Sequence, residues 1–212
     1  MTSRMGSIAV AAALAVALQS VPALAQQTII DEWPGIHAPP APELKPVTID
    51  PKTTALLMLD FVKQTCNAER RPRCLASLPV AKQLLTAARA SNVLVVYSLI
   101  PGAAIGDVLP EVAPTGSEPH VQAPFDKFFN TDLEKILRDH GINTVIATGT
   151  AAHGAVMYTA SEAAIRGFKV IVPVDTVSAD NAYIEQYVAY NFTSAPGVAN
   201  ATTLTRVSMI KF

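Results

Sequence analysis

A doubly wound α/β domain on a parallel sheet is the fold this sequence predicts, and three observations carry that reading. Apolar runs without strict alternation, residues 53–60 and 93–99 among them, read as strands buried on both faces. Helical stretches separate these runs throughout, and such alternation folds as parallel strands joined by crossover helices. Residues 144–164, TVIATGTAAHGAVMYTASEAA, pass from a β-branched run through a small-residue turn into an Ala-rich helix. That strand–turn–helix order makes a shelf where N–H groups and the sheet's C-terminal edge can hold an oxyanion. An ordinary strand-to-helix connection would read the same way, so the rest of the chain decides.

The totals narrow the class. The chain has 212 residues, 50% hydrophobic and 16% charged, with a formal net charge of −1. These values suit one globular domain. No Lys/Arg block resembles a phosphate-binding stripe, so nucleic acid is not an expected partner. The short run Arg70-Arg71-Pro72-Arg73 reads as a solvated loop.

Residues 1–25 read as a signal peptide: Arg4, an apolar run from Ile8 to Val21, and Ala23-Leu24-Ala25 before Gln26. The run is short for a membrane span and lacks a basic stop, so no membrane association is expected after cleavage. A transmembrane anchor is the competing reading. Export, to a periplasm or outside the cell, bears on Cys66 and Cys74, which have seven residues between them. In an oxidising compartment they read as a loop-closing disulfide worth about 2–3 kcal/mol. A nucleophilic Cys66 is the alternative.

Residues 26–52 hold six prolines without apolar periodicity and read as an extended N-terminal arm; the domain proper covers 53–212. The first strand ends in Asp60, where open α/β sheets place ligands. A carboxylate among apolar neighbours there should have a raised pKa and serve as general acid or base, unless it is a capping or loop residue. Ser77 is expected to cap a helix with Pro79 in its first turn and Ala81, Leu84, Leu85 and Ala88 on its buried face.

The second strand spans 93–99. Residues 100–126 read as one long loop, a length that usually marks a site. Thr131 and Glu134 have the spacing of a capping box, and Gly141 closes the helix they open. Further strands are expected over 143–149, 169–175 and 202–209, with a Tyr-containing helix over 180–192.

The run ALLMLD followed by FFNTDLEKILRDHGINTVIATGTAAHGAVMYTASEAAIRGFKVIVPVD resembles the isochorismatase-like cysteine hydrolase superfamily over about residues 53–210. The resemblance implies a Rossmann-like three-layer α/β/α fold, a mostly parallel sheet of strand order 3-2-1-4-5-6, and homo-oligomers. It also implies hydrolysis of a small-molecule substrate. The superfamily's amidohydrolases use an Asp, a Lys and a Cys. Asp60 matches the Asp; Gln122 occupies the Lys position in an ungapped alignment, and Ala155 occupies the Cys position. Lys127 either replaces the missing Lys or is a surface lysine. Val62 stands where the family often has Gln.

A methyl group cannot attack a carbonyl, so Ala155 excludes a thioester intermediate at that position. Isochorismatases of the superfamily also lack the Cys, and Gly149–Ala155 is similar to their turn. They protonate a vinyl ether with the Asp. By that resemblance Thr150, Ala151, Ala152, His153 and Gly154 would bind the substrate or its oxyanion. His153 would orient substrate or water, or simply satisfy a carbonyl at the helix start. Some members bind zinc through a D-x-H stretch; Asp107 and His120 lack that spacing, so no metal or other cofactor is expected.

Overall fold

The first apolar run forms β1, Thr54–Leu59, and every residue in it is buried. Its alternate side chains feed two separate cores. Ala55, Leu57 and Leu59 pack on one face of the sheet, and Leu56 and Met58 on the other. A strand buried on both faces needs helices on both sides, and this chain supplies them. In the computed structural model, residues 28–212 are described; the expected signal peptide, residues 1–25, lies outside them.

Five further strands join β1. They are β2 Leu94–Leu99, β3 His120–Gln122, β4 Thr144–Thr150, β5 Lys169–Pro173 and β6 Thr202–Thr205. Their order across the sheet is β3-β2-β1-β4-β5-β6, all pairs parallel, which is the expected 3-2-1-4-5-6. A two-residue strand, Val177–Ser178, continues the ladder beside the end of β4. Helix α1, Pro72–Ala90, covers one face through Leu78, Ala81, Leu84, Leu85 and Ala88. Helices α2 Leu133–Asp139, α3 Met157–Ile165 and α4 Ala182–Ser194 cover the other. The result is three layers, helix–sheet–helix.

Several boundaries differ from the sequence expectation. Helix α1 starts at Pro72, which takes the N1 position, so Pro79 lies inside the helix and not in its first turn. An interior proline removes one backbone bond. The Ser77 hydroxyl donates to the Cys74 carbonyl instead of capping. The segment 100–126 is not one loop: it contains two 3₁₀ turns and β3. The Thr131–Glu134 capping box is absent. Thr131 Oγ1 accepts from the Leu133 N–H at 3.2 Å and donates to the Lys127 carbonyl, while Glu134 pairs with Arg138 and Arg166.

Contacts divide the chain into two units, one ending at Pro39 and one spanning Pro40–Phe212. The first contains a helical turn, Ile29–Glu32, and a 3₁₀ turn, Trp33–Gly35. In the second, Val47–Thr48 pairs in parallel with Ile210–Lys211, tying the end of the Pro-rich stretch to the C-terminus. No helix of the described residues is long and apolar enough to cross a membrane.

Cys66 and Cys74 form a disulfide, with Cα atoms 5.3 Å apart. It joins the segment after β1 to the first turn of α1. Replacing both cysteines by serine is expected to lower the unfolding free energy by about 2–3 kcal/mol in urea denaturation, the loop-entropy value for so short a ring.

Gly149 in β4 adopts φ +125°, and a Cβ there would lie 2.0 Å from the Leu59 carbonyl oxygen. The two central strands therefore meet where only glycine fits. Gly149→Ala is expected to cost about 3 kcal/mol, the upper end for overpacking, and to show as a lowered Tm.

Candidate active site

Asp60 follows β1 directly and takes φ +54°, a left-handed conformation that Asp tolerates better than most residues. That turn takes its side chain out of the strand's alternation. Asp60 Oδ1 accepts the Ser98 hydroxyl at 2.7 Å, and the Ser98 Oγ in turn accepts the Asp60 N–H at 3.2 Å. The Asp60 carbonyl accepts the Thr65 hydroxyl at 2.6 Å. The left-handed turn is thus held by bonds to β2 and to the following loop.

Lys127, not Gln122, meets this carboxylate. Its Nζ lies 2.8 Å from Asp60 Oδ2 and donates to the carbonyls of Ala123 at 2.6 Å and Leu99 at 3.4 Å. All three ammonium donors are therefore used. Its N–H donates to Thr159 Oγ1 at 3.1 Å, and its carbonyl accepts the Thr131 hydroxyl. Lys127 is fully buried, so it is no surface lysine. Gln122 is exposed on β3, with its amide donating to the Ile100 and Ala103 carbonyls. The lysine that meets Asp60 thus lies five residues beyond the position given by the ungapped alignment, in the segment between β3 and α2.

The pair sits where water is scarce. Burial raises the Asp60 carboxyl from its ordinary value, while Lys127 and Ser98 pull the other way. Burial likewise lowers the Lys127 ammonium, opposed by Asp60. Both shifts push toward the neutral forms, so the pair can hold one proton that either partner carries.

A cavity of about 340 Å³ opens above Asp60. Thr150, Ala151, His153 and Gly154 line it, as do Ala155, Thr65, Ile100, Pro124, Phe125, Tyr158, Arg70 and Arg71. Of the five turn residues expected there, Ala152 departs: it is buried in the core between the sheet and α3. The N–H groups of Gly154 and Val156 both return to the Ala151 carbonyl, so the turn spends part of its donor set on itself. His153 Nδ1 is buried without a hydrogen-bond partner among the described residues.

Nucleophiles are scarce around this cavity. Ala155 presents a methyl in the same cavity as Asp60. Cys66 is consumed by its disulfide. The Thr65 and Thr150 hydroxyls donate to backbone carbonyls. Among the described residues no three His, Cys, Asp or Glu side chains gather into a metal-binding group. Asp107 instead pairs with Lys63 at 2.7 Å.

A carboxylate at the end of the first strand, a buried lysine on it and a small-residue turn opposite are the elements of a known hydrolase architecture. The profile of the isochorismatase domain matches residues 54–204, and the chain belongs to that family of hydrolases. Solved structures agree. An N-carbamoylsarcosine amidase from Thermoplasma acidophilum is similar at 25% identity and TM-score 0.62, covering 73% of this chain and 96% of that one. A cysteine hydrolase from Pseudomonas syringae pv. phaseolicola 1448A shares the fold at 22% identity and TM-score 0.67, covering 79% and 94%. So does an isochorismatase family protein from Desulfovibrio vulgaris, at 18% identity and TM-score 0.67, covering 74% and 95%. No curated protein sequence matches the chain.

Sequence reasoning missed Arg70 and Arg71 as cavity residues, reading them as solvated loop. The bracketing cysteines were the available signal, because a closed ring folds the arginines back toward the end of β1.

Removing one partner from a buried ion pair strands the other. Lys127→Met is expected to cost roughly 3–5 kcal/mol in urea unfolding. Asp60→Asn combined with Lys127→Met should recover part of that loss, and the double-mutant cycle reads the coupling.

Proposed function

We propose that this protein is an exported hydrolase that cleaves a C–N, ester or vinyl ether bond of a small molecule without a covalent enzyme intermediate. The observation that carries the reading is Asp60, ion-paired to the buried Lys127 and lining a cavity together with the Ala155 methyl, which by the family resemblance stands at the position of the Cys. Proton transfer and a positioned water are the chemistry left to such a site. Asp60 delivers a proton to the leaving atom, or to the vinylic carbon of an enol ether. Water adds to the carbon that loses its bond, and its surplus proton returns to the Asp60 carboxylate. Lys127 keeps that carboxylate oriented and tunes its proton affinity. The likeness to an N-carbamoylsarcosine amidase supports the C–N class; the missing thiol favours acid-catalysed cleavage.

The saturated ammonium of Lys127 favours a second reading, an exported binding protein that keeps the pocket and has lost turnover. A screen of small amides, esters and vinyl ethers against the purified protein and Asp60→Asn separates the two. The hydrolase reading expects turnover that falls at least a hundredfold in the variant, the scale of general acid catalysis. Turnover unchanged by the substitution, or none on any substrate class in folded protein, overturns it.

The pH dependence follows from the same geometry. If Asp60 acts as the acid, kcat/KM falls as pH rises through its raised pKa. The Ser98 hydroxyl stabilises the carboxylate form, so Ser98→Ala is expected to move that alkaline limb to higher pH.

A further inference from the structure

The ring closed by Cys66–Cys74 brings two arginines to the cavity. Arg71 is nearly buried at 5% exposure, with its Nε donating to Asp180 at 3.0 Å and an Nη donating to the Thr65 carbonyl at 3.2 Å. Thr65 in turn donates to the Asp60 carbonyl. The ring is therefore linked to the backbone of the Asp60 turn through Thr65. Arg70 lies on the exposed side of the ring; its backbone N–H donates to Asn67 Oδ1 at 2.8 Å, and its guanidinium makes only a long bond of 3.4 Å to the Gln64 carbonyl.

A charge account of the cavity leaves one group over. Lys127 neutralises Asp60, and Asp180 neutralises Arg71. Arg70 lines the cavity, and among the described residues no carboxylate pairs with it. The 19-residue helix α1 starts immediately after Arg71, and α3 follows the Ala151–Val156 turn, so residues at the starts of both line the cavity. His153 adds the buried, unpartnered Nδ1. Ile100, Pro124, Phe125 and Tyr158 form an apolar wall.

We propose that the disulfide-closed ring is the substrate-recognition element of this pocket, and that it selects a small carboxylate with an apolar ring or short chain. Arg70 takes the carboxylate, for which a guanidinium fork is well shaped. Arg71 anchors the ring to the Asp60 turn, and the aromatic wall holds the body of the ligand. The inference rests on the same pocket as the hydrolase reading, but it concerns binding and not turnover.

Isothermal titration with benzoate and hexanoate against benzamide and hexanamide tests it. The acids are expected to bind at least tenfold more tightly than their amides. Arg70→Gln, an exposed substitution, should erase that preference and leave the amides unchanged. Cys66→Ser with Cys74→Ser should weaken the acids several-fold while circular dichroism stays native. Amides binding as well as acids, no binding of either acid, or an unaltered preference in Arg70→Gln overturns the proposal. Selective acid binding in a protein that turns nothing over would sink the hydrolase reading and leave this one standing.

Discussion

Two opposite charges, Asp60 and Lys127, lie 2.8 Å apart with almost no solvent around them, and much of the surrounding architecture serves to keep them there. Taking both ions out of water costs more than their attraction alone returns unless every remaining donor and acceptor is met. Here it is met. Ser98 supplies the second carboxylate bond, Ala123 and Leu99 take the other ammonium protons, and Thr131 and Thr159 hold the lysine backbone. These partners come from β2, the segment after β3, the approach to α2, and α3. The central strands meet at Gly149 so that the turn carrying Asp60 can form beside them.

The charge pair is held together without any contact to a nucleophile. A thiol nucleophile and an acid–base pair are separable parts of a hydrolase, because the first forms a bond to carbon and the second moves protons. Ala155 brings only a methyl to the cavity, and a methyl forms no bond to a substrate carbon. The Asp60–Lys127 pair has its full set of bonds.

Much of the fold was legible because it depends on local patterns. Unbroken apolar runs marked β1, β2, β4 and β5, and their alternate faces appear as two cores. Strand β3 was not legible, since it has three residues and only Val121 is buried. The start of α1 was misread because two prolines lie seven residues apart and either suits a first turn. Asp60 was legible from its place at a strand end. Lys127 was legible only as one of two alternatives, a replacement for the missing Lys or a surface lysine, because its burial depends on the path of a turn that no local propensity describes. Arg70 and Arg71 were hidden for a similar reason: a ring closed by a covalent bond folds where composition suggests solvent.

The spread of the site along the chain bears on how the protein reaches its native state. β1 pairs with β4 across some ninety residues of sequence, as in the Thr148 hydroxyl bond to the Leu57 carbonyl. The Ser98 bond to Asp60 closes a separation of 38. Long-range parallel pairing of this kind raises contact order and slows folding, because loop entropy is lost before the contacts form. The cavity lining is drawn from residues as far apart in sequence as Asp60 and Tyr158. The cavity should therefore emerge late, when the middle strands have found each other, and its occupancy by a ligand is a natural reporter of the last step of folding.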